Sequence, residues 1–167
     1  IVVAIIGIIA AIAIPSLLRA RVSANESATI GDIRTVISAQ AAYQSANGGW
    51  YDSDLDCLTQ PDGCIPNYPT NSPTFLDSQL ASLLAKSGYD RSFGGGDSVD
   101  ASSQISSDTS TTSYVYWATP TSPGQTGVRG FAGDSSGIIC FSADGEEPDT
   151  ADDIRLDTSA ADCNELK

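Results

Sequence analysis

IVVAIIGIIAAIAIPSLL, residues 1–18, is the stretch of this sequence that decides the fold. It contains no charged side chain, and its only polar side chain is that of Ser16. A helix that is apolar on every side has no face for water, so it belongs inside lipid or inside a protein core. As a helix this stretch extends about 27 Å, which is the lower limit for crossing a bilayer. We predict a retained membrane segment rather than a cleaved signal peptide, because no small-residue cleavage site follows.

The helical pattern continues beyond this stretch and ends at Asn47-Gly48-Gly49, since glycine adopts the left-handed conformation that terminates a helix. One face of the continuation carries the apolar side chains Ile30, Ile33, Ile37 and Ala41. A helix of about 47 residues is about 70 Å long, which is too long for a small globular fold. Its first third must therefore be buried by something other than this chain's own head.

Gly7 and Pro15 both weaken the first third of the helix. A proline within a helix removes one backbone hydrogen bond and clashes with the carbonyl four residues earlier, at a cost of about 3 kcal/mol. Residue chemistry leaves two interpretations open. One is a simple proline kink, and the other is a stretch from Gly7 to Pro15 that loses its helicity when the surroundings change. We take a break between these two residues as the prediction.

Composition excludes most functional classes. The chain has 8 Lys and Arg against 21 Asp and Glu, for a net charge of −13, so nucleic acid is not expected as the principal partner. It has no histidine, which removes histidine-based nucleophile systems, proton shuttles and metal sites. What remains is acid–base chemistry by carboxylates or no chemistry at all, and we predict that the protein is not an enzyme.

The 4 cysteines predict up to two disulfides and therefore an oxidising compartment. We pair Cys57 with Cys64, which close a small loop, and Cys140 with Cys163, one of three possible connectivities. Arg19 and Arg21 follow the apolar run and by the positive-inside tendency would place the carboxyl side in the cytoplasm. A more basic leader removed from ahead of Ile1 would resolve this conflict, so we place the head outside.

The remaining sequence predicts an α+β fold, in which the long helix covers a small antiparallel sheet. Residues 48–88 form a proline-rich loop with a short helix, capped by Asp77 or Ser78 and ended by Gly88. Residues 89–142 hold the sheet, and residues 94–112 form an exposed excursion that is almost without apolar side chains. Residues 143–167 form a carboxyl-terminal region closed by a disulfide. The predicted strands are Tyr89–Phe93, Ser113–Ala118, Val128–Gly133 and Ile138–Ser142.

IVVAIIGIIAAIAIPSLLRARVSANES, from Ile1 to Ser27, resembles the amino-terminal segment of the type IV pilins and related pseudopilins, including the Gly7 and Pro15 positions. The order of long helix, loop and strands is similar to the pilin plan. The resemblance implies processing by a prepilin peptidase, N-methylation, and residence in the inner membrane with the head in the periplasm. It then implies that a pilus assembly machinery extrudes copies of the chain into an extracellular helical filament.

In that filament the apolar helices of many copies form the core, and the stretch between Gly7 and Pro15 is often melted in the family. The resemblance therefore divides the chain into residues 1–24, the membrane and filament-core segment, and residues 25–167, the head. Mature family members begin with about seven further residues ahead of the position of Ile1, including a glutamate for which no residue here is a counterpart. The expected filament-core side chains are Ile1, Val2, Ile5, Ile6, Ile8, Ile9, Ile12 and Ile14.

The acidic segment SADGEEPDTADDI resembles the calcium loop of the major pseudopilin of type II secretion. That resemblance points to Asp144, Asp152 and Asp153 as calcium ligands, since calcium takes six to eight oxygen ligands in flexible loops. Pro148 and the lack of a glycine pair depart from the family pattern. The alternative is a solvated acidic face.

Three functions follow as expectations. The first is the major pilin of a bacterial type IV pilus, a structural subunit whose partner is a copy of itself. The second is the major pseudopilin of a type II secretion system, which the acidic loop favours. The third, more remote, is a membrane-tethered carboxylate hydrolase, which needs two facing acids in a cleft.

Overall fold

The computed structural model describes residues 2–99, 106–151 and 154–166. One helix, α1 (Val2–Ala46), runs through the whole amino-terminal part, with Pro15 inside it. The predicted break between Gly7 and Pro15 is therefore wrong for the described part of this isolated chain. Proline removes one hydrogen bond from the helix but fixes its own φ near the helical value. Here it leaves the helix continuous.

The amino-terminal part of α1 lies outside the head, as predicted. It includes an 18-residue window that is long and apolar enough to cross a membrane, and 0% of this window is buried. Between Val2 and Arg21 of α1 Ala10 is half-buried and the other residues are exposed, and the buried positions that face the head begin at Glu26. The fold is thus α+β, with a long helix of which only the second half packs on a sheet.

The head is built on a five-stranded antiparallel sheet in the order β2-β4-β5-β6-β9. Its first four strands follow the predicted meander, and the short β9 adds an edge next to β6. Two further pairs of short strands lie outside this sheet, β1 with β3 and β7 with β8. The strands are β1 (Tyr51–Asp52), β2 (Tyr89–Gly95), β3 (Ser110–Thr111), β4 (Tyr114–Pro120), β5 (Gly130–Asp134), β6 (Ile139–Ser142), β7 (Thr150–Ala151), β8 (Arg155–Leu156) and β9 (Asn164–Glu165).

The second half of α1 packs on one face of this sheet. The buried helix positions are rotated from the predicted stripe: Ile33 is fully buried and Ile30 and Ile37 are half-buried, but Ala41 is exposed and Gln40 is buried. Gln40 replaces an apolar contact with hydrogen bonds, because its Nε2 donates to Asp52 O at 2.8 Å and its Oε1 accepts from Asp52 N at 3.2 Å. The buried helix positions are Glu26, Thr29, Ile33, Val36, Ala39, Gln40 and Tyr43.

Gly133 marks the closest approach of the sheet to the helix. A Cβ at this position would overlap Ile33 Cγ2 and lie 3.0 Å from Ile37 Cδ1. We expect Gly133→Ala to lower the free energy of unfolding by about 1–3 kcal/mol, because overpacking forces the helix and sheet apart. Urea denaturation measures this change. Gly31→Ala is the matched control on the exposed side of α1, where a Cβ meets nothing within 4 Å, and it should leave stability unchanged or raised. Equal stability of both variants would contradict the packing.

The carboxyl-terminal region covers the other face of the sheet. The predicted Cys140–Cys163 disulfide is present and joins β6 to the segment before β9, with the two Cα atoms 5.0 Å apart. Asp134, buried at the end of β5, accepts hydrogen bonds from Leu156 N at 3.0 Å and Ser136 N at 3.0 Å. A disulfide and a buried carboxylate thus hold this region in place.

The loop between α1 and the sheet is irregular, as predicted. It holds a short helix α2 (Asp56–Thr59), a 3₁₀ turn (Pro61–Gly63) and the predicted Cys57–Cys64 disulfide, whose Cα atoms are 5.6 Å apart. The second short helix, α3 (Ser78–Ala81), is capped by Asp77, which accepts from Gln79 N at 2.8 Å. This helix stops well before the predicted end at Gly88. Leu83 adopts a left-handed conformation, with φ of 54°, which cannot continue a helix.

Part of the predicted exposed excursion at residues 94–112 is buried, which corrects the prediction; residues 100–105 lie outside the described residues. Ser106, Ser107 and the β3 strand pack beside the end of α1. The reason is Asn47, whose buried side chain accepts from Ser107 N at 2.7 Å and donates to Ser110 Oγ at 2.9 Å. Polar side chains therefore hold this segment without an apolar core.

Candidate functional site: the exposed helix and its neck

The amino-terminal part of α1 presents most of the exposed apolar surface among the described residues. Ten of the thirteen large hydrophobic side chains that are exposed lie between Val2 and Leu18, and the other three are Trp50, Leu84 and Val128. The described filament-core candidates are all between 53% and 73% exposed; Ile1 lies outside the described residues. A contiguous apolar surface of this kind marks an interaction with lipid or protein.

The point where α1 leaves the head, which we call the neck, is fixed by an ion pair. Glu26 is buried on α1, and its Oε2 accepts from the Arg129 guanidinium at 3.0 and 2.6 Å. Its Oε1 accepts from the backbone N–H groups of Val128 at 3.1 Å and Arg129 at 3.2 Å. The guanidinium also lies 5.2 Å from the ring centre of Phe131. This cluster ties the helix to the loop before β5.

The ion pair determines the ionisation of Glu26. Burial disfavours the charged carboxylate and would raise its pKa, but the hydrogen bond from Arg129, the two backbone N–H groups and the guanidinium charge outweigh burial. The pKa of Glu26 is therefore lowered from its usual value, and the side chain is charged at neutral pH. The head is thus clamped to the helix by a charged group that acid would neutralise.

Two grooves flank the neck and share Leu18. The larger, of about 490 Å³, lies between α1 and the loop before β5 and is lined by Arg19, Val22 and Val128. The smaller, of about 300 Å³, lies beside Arg21 and Thr126. Arg19 and Arg21 lie on opposite sides of α1, because two residues advance about 200° around a helix. We call these the neck grooves.

The charge of the molecule is divided between the two ends of the sequence. Residues 1–50 hold three arginines and two acids, a net charge of +1, so residues 51–167 carry −14 of the total of −13. Among the described residues the ion pairs are Glu26–Arg129 and Asp32–Lys86. The arginines of the neck grooves therefore lie next to the apolar helix and apart from most of the acids in the sequence.

The predicted calcium site falls mostly outside what the structure describes. Asp152 and Asp153 lie outside the described residues. Asp144 is exposed, and its pKa is lowered because Oδ1 accepts hydrogen bonds from Ser142 Oγ and, at 3.0 Å, from Glu146 N. Among residues 2–99, 106–151 and 154–166, no three acidic or cysteine side chains converge as a metal site. The calcium site stays a prediction.

Sequence reasoning missed the residues that build the neck. Glu26 and Arg129 are more than a hundred positions apart, and nothing local in the sequence links them. One signal was available: Glu26 is the only acid before Asp32, and it lies on the helix face that continues from Ile30 and Ile33. An acid in line with apolar side chains indicates a buried pair.

Comparison of the chain with family models, with curated proteins and with solved structures gives no match. The resemblance to the type IV pilins therefore stays a prediction carried by the residues quoted above. What stands independently of it is a head anchored to a helix whose apolar part the head leaves uncovered.

Proposed function

We propose that this protein is a structural subunit, the major pilin of a bacterial type IV pilus. The observation that supports the proposal is the exposure of the apolar part of α1, none of which is buried by the head. Exposing ten large apolar side chains to water is unfavourable, since each costs about 1.5–3 kcal/mol when fully transferred from an apolar medium. The helix therefore needs lipid before assembly and copies of itself afterward.

The mechanism is physical rather than catalytic. In the inner membrane the apolar part of α1 lies in lipid, with the head in the periplasm. Extrusion by the assembly machinery moves that part from lipid into a shared core of helices, so that it stays dry at each stage. The acidic heads remain in water on the outside of an extracellular filament, where their like charge keeps filaments apart.

The alternative is the major pseudopilin of a type II secretion system, a short periplasmic piston built from the same parts. The acidic loop that begins at Asp144 favours it, whereas the larger head with two disulfides favours an exposed pilus. The carboxylate hydrolase has less support. Among the described residues the larger neck groove is lined by one carboxyl, Glu26, and an ion pair already occupies it.

Negative-stain microscopy of cells that express the chain, before and after shearing, tests the proposal. We expect long surface fibres that contain this chain and are released by shearing. Short stubs that remain with the cell envelope would favour the pseudopilin. The absence of any filament, with the chain monomeric in detergent-free buffer, would contradict both.

A further inference from the structure

Arg19 and Arg21 lack a counter-charge in the described structure. Both side chains are exposed, and neither belongs to an ion pair among the described residues. The one carboxylate that lines the larger neck groove, Glu26, is already held by Arg129 and two backbone N–H groups. The neck thus carries two free positive charges on opposite sides of α1.

The apolar surface at the neck lies mainly in the larger groove, where Arg19 is next to Leu18, Val22 and Val128. In the smaller groove Arg21 is next to Leu18, and the rest of the lining is largely polar, including Gln125 and Thr126. A ligand that fills such a groove needs an apolar portion for the wall and a negative group for the guanidinium. The two requirements together describe an anionic amphiphile.

The position of the grooves along α1 further restricts the class of ligand that could fill them. The apolar part of α1 from Val2 to Leu18 spans about 26 Å, close to the thickness of the hydrocarbon core. With this part in a bilayer, Arg19 and Arg21 lie at the level of the lipid headgroups, where arginine side chains extend toward phosphate. Packing against the apolar helix of a second copy alone would leave both arginines uncompensated on burial, because that helix segment carries no charge.

We propose that the neck grooves bind anionic phospholipids, with the headgroup phosphates on Arg19 and Arg21, the upper acyl chains against Leu18, and the uncharged part of the headgroup region against Val22 and Val128. This inference rests on the membrane residence that the proposed function includes, and it adds a lipid class and the residues that select it. The bound lipids hold the neck at the membrane surface before assembly.

Native mass spectrometry of the full chain tests the proposal. The protein is released from micelles that contain equal amounts of phosphatidylglycerol and phosphatidylcholine, and the lipid that remains bound to it is measured. Each arginine near an anionic surface adds about 1 kcal/mol, and 1.4 kcal/mol is a factor of ten, so we expect about a thirtyfold preference for retained phosphatidylglycerol. Arg19→Gln with Arg21→Gln should remove that preference. Arg34→Gln, a change at an exposed arginine of α1 beyond the neck, should leave it unchanged.

Several results would overturn the proposal. Equal retention of the two lipids by the unaltered chain would do so, as would complete displacement of phosphatidylglycerol by free inorganic phosphate, which would indicate a simple anion site. Protein dimers without lipid would assign the grooves to a second copy. Failure of the unaltered chain to remain with detergent-free vesicles would instead contradict its membrane residence and, with it, the proposed function.

Discussion

Replacing Ile9 and Ile12 with aspartate should abolish fibre formation and leave the head folded. In the isolated chain these side chains are 61% and 73% exposed, so the head loses no contact with either. In lipid or in a core of helices each aspartate costs about 2.5–3.5 kcal/mol at the helix centre. Microscopy of sheared fibres measures assembly, and thermal unfolding in detergent measures the head.

Two controls make this result specific. Leu84→Asp places a charge at an exposed leucine of the head, 71% exposed, and fibres should persist. Ile9→Leu with Ile12→Leu keeps the apolar surface and should also keep fibres. If the aspartate variant instead lowered the melting temperature of the head, the apolar helix would be packed against its own globule, which would contradict the fold and the proposed function together.

Glu26→Gln should lower the free energy of unfolding by about 2–3 kcal/mol, because it leaves the Arg129 guanidinium without its counter-charge. The loss is smaller than for a fully buried pair, since the Arg129 side chain is 34% exposed and water relieves part of the charge. Urea denaturation of the full chain in detergent measures it. A second variant, Glu26→Gln with Arg129→Met, should recover part of the loss, because no unpaired charge remains.

The same pair predicts a dependence on pH. The pKa of Glu26 is lowered from 4.5 in the folded protein, so its ionised form stabilises the fold fully above that ordinary value. This contribution is lost as the pH falls below 4.5 and through the lowered pKa. The unaltered chain should therefore lose stability relative to Glu26→Gln over that range, and the two curves should converge in acid. Parallel curves would show that Glu26 contributes no charge-dependent stability.

The Asp32–Lys86 ion pair serves as the comparison for the Glu26–Arg129 ion pair. Its distance, 2.7 Å, is similar, and its exposure is only slightly greater, 39% for the Lys86 side chain and 16% for that of Asp32. The difference lies in the hydrogen bonds: among the described residues Asp32 accepts from Lys86, whereas Glu26 also accepts from two backbone N–H groups. Ion pairs near the surface contribute about 0–1 kcal/mol, so Asp32→Asn should change stability by less than Glu26→Gln. An equal loss in both variants would mean that the backbone hydrogen bonds to Glu26 add nothing to the stability of the neck.

Most of the elements that depend on local sequence were predicted correctly. The apolar run, the helix end at Asn47, the order of the main strands and both disulfides follow from composition, spacing and turn residues, and the structure has all of them. Strand limits moved by one or two residues, as for β2, which extends to Gly95. These features are determined by short stretches of sequence, because hydrophobic periodicity and the backbone preferences of single residues set local secondary structure.

Several errors concern polar side chains whose hydrogen-bond partners lie far along the chain. The break predicted between Gly7 and Pro15 and the predicted helix end at Gly88 are errors of local structure instead. Gln40 lies off the predicted apolar face and Asn47 was predicted only as part of the helix stop, yet both are fully buried and hydrogen-bonded. The segment at Ser106 and Ser107 was therefore taken as exposed. A buried hydrogen bond can be recognised only when the positions of both partners in the fold are known. The sequence alone does not show which two distant residues come together. The Glu26–Arg129 clamp escaped prediction for the same reason.

The unequal division of charge along the sequence affects how the molecule would be oriented relative to a membrane. Residues 1–50 carry a net charge of +1, and residues 51–167 carry −14. An anionic bilayer therefore repels the second part and does not repel the first. Electrostatic repulsion between the head and the bilayer is screened within about 8–10 Å at physiological salt. It therefore acts when the head comes close to the bilayer surface and is negligible when the head lies further away. In the membrane-resident state that the proposed function includes, this repulsion would hold the head away from the bilayer surface and α1 near the direction in which the filament grows.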